Sequence, residues 1–336
     1  MSKKNLRYAS SFLLTALFLY LAFRGIDRNA LWNSLRGVHW GWMVLLFLGT
    51  VVGHMARAWR WQYLLYPIKP NVTLRNSFSA VMIGYMVNNF LPRVGEFVRP
   101  YAIGNLENIS KSAALGTVVI ERIIDMIVFL SILLIVFFLY IDSFSQLFPG
   151  FESLKVFFLL GSIGLTVLFI LLFFKADLLF SLLRRLLVMV PSKLRIRVGS
   201  KFDSFVSGFA IVNYPGKFAM IALSSYAVWG LYIVMMYLPF LSFDNIMAHH
   251  LDLGAATLLM VVSGVAFALP TSGGFGTYHS FTSFALTQLF HIDPVTALSY
   301  SILTHEIGFV CTTSFGLYYF IKDQVRMSDV VGENPQ

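Results

Sequence analysis

Polar and charged residues interrupt very apolar sequence at two places in this chain. The first stretch, NNFLPRVGEFVRP, covers residues 88–100, and the second, FALPTSGGFGTYH, covers residues 267–279. Both contain Leu-Pro, then two residues, a Gly, one further residue and a Phe. A charge at membrane depth is costly, so charges that persist there usually face a cavity and serve function. These two stretches are therefore the first candidates for a binding site.

The first stretch supplies several side chains that can bind a polar ligand. Glu96 and Arg99 are three residues apart on a helix that begins after the proline, and that spacing lets them pair. The alternative is a structural ion pair that locks the stretch in place. We favour a binding role because the stretch offers more polar groups than a lock requires, namely Asn88, Asn89, Arg93, Glu96 and Arg99.

The apolar segment that follows carries the charged sequence ERIIDM. Arg122 and Asp125 are three residues apart and can neutralise each other. Glu121 then lacks a partner within its own helix. It can pair with Arg93 or Arg99 of the first stretch, or it can contact a cationic group of a substrate. Both alternatives stay open.

The second stretch is rich in glycine and opens a helix. Free backbone N–H groups and the positive end of a helix dipole favour an anion there, such as a phosphate. The alternative is that the glycines only permit tight packing. The stretch lacks Gly-Lys-Ser/Thr and is not a Walker nucleotide site. Its candidate binding residues are Thr271, Ser272, Gly273, Gly274 and Gly276.

Three titratable residues accompany the second stretch. His279 lies one turn into its helix, and His305 and Glu306 lie in the last apolar segment. Intramembrane His and Glu residues can relay protons. A buried, hydrogen-bonded structural histidine is the commoner case, and it is our leading interpretation. We expect neither a cofactor nor a metal, and the single cysteine, Cys311, excludes an intrachain disulfide.

The composition indicates that a membrane surrounds these stretches. The chain is 57% hydrophobic and only 12% charged, about half the charged fraction of an average soluble domain. Apolar runs of about 20 residues recur, which is the length that spans a bilayer. We predict an all-α polytopic membrane protein. The net charge of +9 then indicates positive-inside bias and attraction to anionic lipid rather than a nucleic-acid partner.

Apolar segments of two lengths occur along the chain. We predict about six full transmembrane helices, at residues 8–23, 40–59, 112–140, 154–174, 218–241 and 295–321. Two pairs of shorter pieces are each split by one of the stretches, namely 77–91 with 97–106 and 253–269 with 275–290. Each piece is too short to span a bilayer comfortably. We predict that the pairs form re-entrant helical hairpins at 77–106 and 253–290.

The basic residues set the predicted orientation. With both termini in the cytoplasm and an uncleaved first helix, most of the 25 Lys and Arg residues lie on the cytoplasmic side. We assign Arg57 and Arg60, with their neighbours Trp59 and Trp61, as interfacial anchors. An amphipathic helix at 176–190 is expected on the inner membrane surface.

The two hairpins occupy corresponding positions in two predicted repeats of opposite orientation. Residues 40–140 form the first repeat and residues 218–321 the second, joined by a connecting span and cytoplasmic stretch at 141–217. Interrupted helices at corresponding positions of two halves are the best sequence indication of a transporter's binding site.

Three motifs together resemble the lysylphosphatidylglycerol synthase transmembrane family, also called the flippase-like or UPF0104 family. They are NNFLPRVGEFVRPYAIG, ERIIDM and ALPTSGGFG, and the resemblance covers roughly residues 40–321. The family implies movement of polar lipids, often aminoacylated phospholipids, between leaflets. The matching positions are Asn89, Pro92, Gly95, Glu96 and Arg99, then Glu121, Arg122 and Asp125, then Pro270, Gly273, Gly274 and Gly276.

The chain departs from the family pattern in two respects. The third motif usually ends in Glu, where this chain has His279. The sequence also has no soluble aminoacyltransferase half, so we do not expect the resemblance to extend to lipid synthesis.

The sequence predicts a lipid flippase or scramblase, not an enzyme, in a bacterial cytoplasmic (inner) membrane. A phospho- or aminoacyl-lipid would cross through a cavity between the two repeats, without a cofactor. The alternatives are an integral-membrane enzyme that modifies lipid headgroups, a proton-coupled carrier of a small solute, and a partner of a separate lipid-modifying enzyme.

Overall fold

The computed structural model describes residues 3–147, 151–187 and 192–325. Helices contain most of these residues, and no strand occurs among them. Four helical segments in these ranges are long and apolar enough to cross a membrane: Trp40–Leu65, Lys111–Leu139, Lys155–Phe174 and Pro215–Ser242. The prediction of an all-α polytopic membrane protein is confirmed.

The described ranges contain the α-helices α1 to α15. The first seven are α1 (Lys3–Phe23), α2 (Arg28–Arg36), α3 (Trp40–Leu65), α4 (Leu74–Phe90), α5 (Gly95–Glu107), α6 (Lys111–Leu139) and α7 (Ile141–Leu147). The remaining eight are α8 (Phe151–Phe174), α9 (Ala176–Leu187), α10 (Ser192–Ser207), α11 (Phe218–Tyr237), α12 (Asp244–Met247), α13 (Leu253–Ala268), α14 (Thr277–Phe290) and α15 (Pro294–Lys322). Short 3₁₀ helices lie at Ala210–Asn213, Pro215–Lys217, Leu238–Ser242 and Ser272–Gly274.

One boundary differs from the predicted one in a way that matters. Helix α3 continues to Leu65, well past the predicted end at residue 59. The predicted amphipathic helix at 176–190 is present as far as Leu187, and residues 188–190 lie outside the described ranges. Helices α2 and α10 were not predicted, because their apolar residues are too few to give a membrane signal.

Capping residues fix the first turn of the helices that carry the candidate site. Thr73, Ser110, Asp252 and Asp293 precede α4, α6, α13 and α15, and each side chain accepts a hydrogen bond from a backbone N–H of the first turn. Such caps satisfy N–H groups that have no partner within the helix. The sequence therefore specifies where each of these helices begins.

Helices α4 and α5 form an antiparallel pair, the first hairpin, whose turn at residues 91–94 is the first tip. Near the tip, Gly84 and Gly95 let the two backbones touch, because a Cβ on Gly95 would collide with the carbonyl of Gly84. The Asn88 side chain also accepts a hydrogen bond from the N–H of Gly95 at 2.7 Å. A side chain at Gly95 would separate the helices and displace the tip.

The open end of the first hairpin is held by Glu107. Its carboxylate accepts hydrogen bonds from Lys69 Nζ at 2.6 Å, Thr73 N at 3.1 Å and Asn76 Nδ2 at 2.8 Å. Burial of the carboxylate raises the pKa of Glu107, but these hydrogen bonds outweigh burial and bring the pKa below its usual value. Glu107 therefore stabilises the hairpin in its charged form.

Glu107→Gln should destabilise the protein at neutral pH by about 1–3 kcal/mol, the usual cost of leaving buried polar groups unsatisfied. A carboxylate with a lowered pKa contributes stability above its unfolded pKa and loses it as pH falls through its folded pKa. The thermal midpoints of wild type and variant, measured from about pH 7 to about pH 3, should therefore converge at the acidic end. Asp203→Asn, at an exposed surface pair, is the control. A gap that stays constant with pH would contradict this account.

Helices α13 and α14 form the second hairpin, whose turn at residues 269–276 is the second tip. Tyr140 lies against both open ends, near Gly254 of α13 and with its ring 6.0 Å from that of Phe290 of α14, so the two helices are antiparallel. The tip turns at Gly273 and Gly274, whose φ values of 57° and 79° suit glycine. Both predicted helical hairpins are thus present.

The two tips meet in the centre of the structure. Arg93 in the first tip donates a hydrogen bond to the carbonyl of Ala268, at the end of α13, at 2.8 Å. A Cβ on Gly273 would lie only 2.9 Å from the carbonyl oxygen of Asn89. The pairs α3–α4, α4–α5 and α5–α6 have counterparts in α11–α13, α13–α14 and α14–α15. That pattern is what two repeats would produce, while the repeat boundaries and the re-entry of each hairpin stay predictions.

Candidate functional site

A cavity of about 530 Å³, the central cavity, lies between the two tips and helices α3, α11 and α15. This volume is within the usual range for small-ligand sites. The predicted site residues in its wall come from both stretches, the ERIIDM segment and α15: Asn88, Asn89, Arg93, Glu96, Arg122, Thr271, Gly273, Gly274 and His305. The structure therefore brings the two stretches to one site.

The other predicted site residues do not line the cavity. Arg99, Glu121 and Asp125 lie behind its wall in ion pairs. Ser272, Gly276, His279 and Glu306 belong to the second tip and its neighbours but are not part of the wall.

The wall changes from apolar to charged along α3. Leu46, Thr50, His54 and Arg57 line the cavity in that order, and three to four residues separate successive members, so they share one face of the helix. At 1.5 Å per residue they extend along about 16 Å. The central cavity therefore has an apolar end near Leu46 and a charged end near Arg57.

Helix α11 repeats this gradient in the opposite chain direction. Tyr232 lies at the charged end, where its hydroxyl accepts a hydrogen bond from Arg57 Nη1 at 3.0 Å. Met235 lies at the apolar end, where its sulfur is 3.6 Å from the Thr50 hydroxyl. Met236 and Met260 add further flexible apolar surface to the wall.

Arg57 and Arg60 lie inside the helix bundle, and the prediction that they are interfacial anchors is wrong. They are only 4% and 0% exposed. Arg57 Nε donates to Glu121 at 2.7 Å, and its Nη2 bonds to Asp125. Arg60 donates to Asp125 at 2.7 Å and to Glu121 at 3.0 Å. The prediction failed because α3 continues to Leu65. When Arg57 and Arg60 are left out, Lys and Arg residues are still more numerous on the predicted cytoplasmic side than on the outer side.

Glu121 is the centre of this charge cluster, which consists of Arg57, Arg60, Glu96, Arg99, Glu121, Arg122 and Asp125. Besides Arg57 and Arg60, Glu121 pairs with Arg99 Nη2 at 2.8 Å and is fully buried. Of the two open alternatives for Glu121, the structure shows pairing with Arg99. Arg93 instead bonds to the Ala268 carbonyl.

Glu96 and Arg99 do not pair with each other, contrary to one prediction. Glu96 lies 3.2 Å from Arg122 Nε, at the surface of the cavity. Arg99 turns the other way, and its guanidinium stacks 3.7 Å above the ring of Trp61, which is fully buried, whereas Trp59 is partly exposed. Arg122 and Asp125 approach only to 3.8 Å, because Asp125 bonds mainly to α3.

The charge cluster contains four arginines and three carboxylates, which leaves one positive charge in excess. Arg57, Arg122 and Glu96 are the members that reach the cavity wall. Arg93 of the first tip adds a further cation to the wall. This end of the central cavity can therefore bind an anionic group, while Glu96 can accept a hydrogen bond from an amine.

Gly276, which directly precedes α14, does not line the cavity, although the sequence suggested an anion site there. Helix α1 covers it: a Cβ on Gly276 would lie 2.7 Å from the carbonyl of Thr15, and Ser280 donates to the carbonyl of Phe18 at 2.6 Å. The glycines of the second tip instead permit close packing, which was the alternative interpretation.

His279, His305 and Glu306 lie together beside the second tip. Each residue offers one atom that could bind a metal ion, and these three atoms lie within 4.8 Å of one another. His279 Nδ1 accepts a hydrogen bond from the N–H of Gly276 at 3.3 Å, so in the neutral ring Nε2 carries the proton. That nitrogen, the one that faces Glu306 at 3.7 Å, has no lone pair for a metal.

Several cavity residues were not predicted. His54 and Trp229 present ring nitrogens, Nδ1 and Nε1, that are buried without a hydrogen-bond partner among the described residues. His54 and Arg57 were detectable in principle, because both interrupt an apolar helix. The methionines were not, because apolar residues that face lipid and those that line a cavity have the same composition.

Comparison with known proteins agrees with the motifs. The family described as "Lysylphosphatidylglycerol synthase TM region" matches residues 8–316, from α1 into α15. A UPF0104 membrane protein from Methanocaldococcus jannaschii is 23% identical over 338 residues, which cover 91% of this chain and 93% of the relative. No solved structure matches the chain. The resemblance inferred from the three motifs is therefore confirmed, and the chain belongs to the lysylphosphatidylglycerol synthase transmembrane-region family.

Proposed function

We propose that the protein moves a phosphate-bearing lipid between the two leaflets of a membrane through the central cavity. The observation that carries this proposal is the polarity gradient of the cavity wall, from Leu46 and Met235 at one end to Arg57 and Arg122 at the other. An amphiphile needs such a gradient, whereas a small polar solute does not need the apolar end.

The charged end suits a lipid headgroup. Arg122 is 42% exposed on its side chain and is the most accessible arginine of the charge cluster. With Arg57 it can bind a phosphate through charge-assisted hydrogen bonds. Glu96 lies 3.2 Å from Arg122 and would contact an amine, such as that of an aminoacyl group, next to the phosphate. One site thereby accommodates a phospholipid or an aminoacylated phospholipid.

The apolar end suits the first part of an acyl chain. Met235, Met236 and Met260 are unbranched and adapt to a flexible ligand. The two tips form part of the cavity wall, and each belongs to one helical hairpin. We propose that the hairpins open the cavity to each leaflet in turn.

The orientation and membrane belong to the same proposal. Basic side chains such as Arg184 and Arg185 on α9 support placing both termini in the cytoplasm. A bacterial cytoplasmic membrane supplies anionic phospholipids as substrates, and no cofactor takes part in the proposed movement.

Arg122→Gln should slow movement of an anionic phospholipid by about tenfold or more, the value of one charge-assisted hydrogen bond. Purified protein is reconstituted in liposomes with headgroup-labelled anionic, zwitterionic or aminoacylated lipids. An impermeant quencher then reports the label that reaches the outer leaflet. Arg184→Gln, which removes the same charge at an exposed surface pair, should move lipid at the wild-type rate.

Three results would count against the proposal. If wild type moves no lipid of any headgroup, the cavity serves another purpose. If the labelled lipid is chemically altered, the protein is a headgroup-modifying enzyme. If a separate lipid-modifying enzyme must be added before lipid moves, the chain is its partner rather than a transporter by itself.

A further inference from the structure

The hydrogen bonds of His305 require more protons than a neutral ring can supply. His305 Nε2 lies 2.8 Å from the carbonyl oxygen of Gly273, and its Nδ1 lies 3.1 Å from Glu306 Oε1. A carbonyl oxygen only accepts, so Nε2 carries a proton. A neutral imidazole then has only a lone pair at Nδ1, which would face the lone pairs of an ionised carboxylate.

One additional proton resolves this conflict. It can sit on Nδ1, as an imidazolium paired with a carboxylate, or on Glu306, whose O–H then donates to Nδ1. In both forms the His305–Glu306 pair is neutral overall. Neutrality suits its surroundings, because the rings of Phe275 and Tyr278 lie 4.7 Å and 5.3 Å from the His305 ring.

We infer that His305 and Glu306 form a binding site for one exchangeable proton, and that occupancy of this site controls the second tip. The distances fit the occupied arrangement, in which His305 bonds to Gly273 and to Glu306 at once. When the proton leaves to water, the neutral ring keeps only one of the two hydrogen bonds. The His305–Gly273 contact and the His305–Glu306 contact then exclude each other.

Gly273 connects this site to the central cavity. It lines the cavity wall and packs against the backbone of Asn89 in the first tip. Release of the Gly273 carbonyl therefore loosens the contact between the two tips. This inference rests on the proposed function only for what the tips do, because proton binding itself requires no lipid.

Few other titratable groups face the pair. His279 of α14 has Nε2 3.7 Å from Glu306, and no Arg or Lys of the described residues lies within ion-pair distance of that carboxylate. Helix α13 has no titratable side chain, and α1 presents Phe18 to this region. The remaining titratable groups on the cavity wall are His54, Arg57, Tyr85, Arg93, Glu96, Arg122, Tyr232 and Tyr278.

Proton counting on the purified full chain tests the site directly. Between about pH 5 and about pH 8, the range in which histidines change charge, wild type should release about one more proton than Glu306→Gln. The control is Asp244→Asn, which alters an exposed His–carboxylate pair, His39–Asp244, far outside the cavity. Equal proton release by wild type and Glu306→Gln would overturn the inference.

Nitrogen-15 NMR of histidine-labelled wild type makes the same test without a variant. One histidine should show both ring nitrogens in proton-sharing hydrogen bonds at low pH and lose one of them at high pH. One histidine should have an Nε2 that bonds to a carbonyl oxygen. If the nitrogen-15 signals of no such histidine change with pH, the site holds no exchangeable proton.

Lipid movement under a pH gradient separates this inference from the proposed function. Wild-type movement should respond to the gradient, and Glu306→Gln should move lipid at a rate that does not. If wild type releases the extra proton but moves no lipid, the proposed function is refuted and the proton site stands. Wild-type lipid movement that is independent of the gradient would refute control by the proton and leave the proposed function standing.

Discussion

Glu121→Ala should lower the free energy of unfolding by about 3–5 kcal/mol, the usual cost of removing one partner from a buried ion pair. Glu121 is fully buried and pairs with Arg57, Arg60 and Arg99. Its removal would leave the cluster with four arginines and two carboxylates, and three of those arginines, Arg57, Arg60 and Arg99, are buried. The protein should lose thermal stability far beyond the effect of any exposed charge.

The matched control is Asp203→Ala. Asp203 pairs with Arg184, and the two side chains are 59% and 65% exposed, so the expected loss is about 1 kcal/mol or less. Thermal unfolding of both variants in the same detergent measures the difference. Equal midpoints for Glu121→Ala and Asp203→Ala would contradict the structural role assigned to the charge cluster. Because its removal destabilises the fold, Glu121 is a poor probe of transport.

Gly308→Trp should slow lipid movement by about tenfold or more while the protein stays folded. Gly308 lines the central cavity, and a Cβ there would meet no atom within 4 Å. The indole would therefore extend into open space and fill much of the roughly 530 Å³ available. The Cβ displaces no neighbour, so stability should change little.

Gly164→Trp is the control for this substitution. Gly164 lies on α8, also has no atom within 4 Å of a built Cβ, and is not part of the cavity wall. The liposome assay should show wild-type movement for Gly164→Trp. Fast movement by Gly308→Trp would mean that lipid does not pass through the central cavity.

The sequence predicted the helical class, the two hairpins and the joint role of the two interrupted stretches. These features follow from apolar length and from Pro and Gly positions, which are local properties. Asn88 and Glu96 of the first stretch and Gly273 of the second do line one cavity. Function could be argued from these residues before any distance was known.

The pairing of charges could not be predicted in the same way. Glu96 and Arg99 have suitable spacing on one helix, but α6 offers Arg122 to one and Glu121 to the other. Partners from another helix are invisible to a spacing rule. The start of α14 failed as an anion site for a similar reason, because α1 covers it through Gly276.

Photolabelling of the bound lipid tests the central claim most directly. Two phospholipids are needed, one with a diazirine in the headgroup and one with a diazirine on the acyl chain. After irradiation, mass spectrometry locates the labelled residues. The account predicts that the headgroup probe labels Tyr85 and Glu96 and that the acyl probe labels Met235 and Met260, which lie at opposite ends of the gradient. Labelling confined to outward-facing residues such as Phe157 of α8, with neither probe in the cavity, would contradict it.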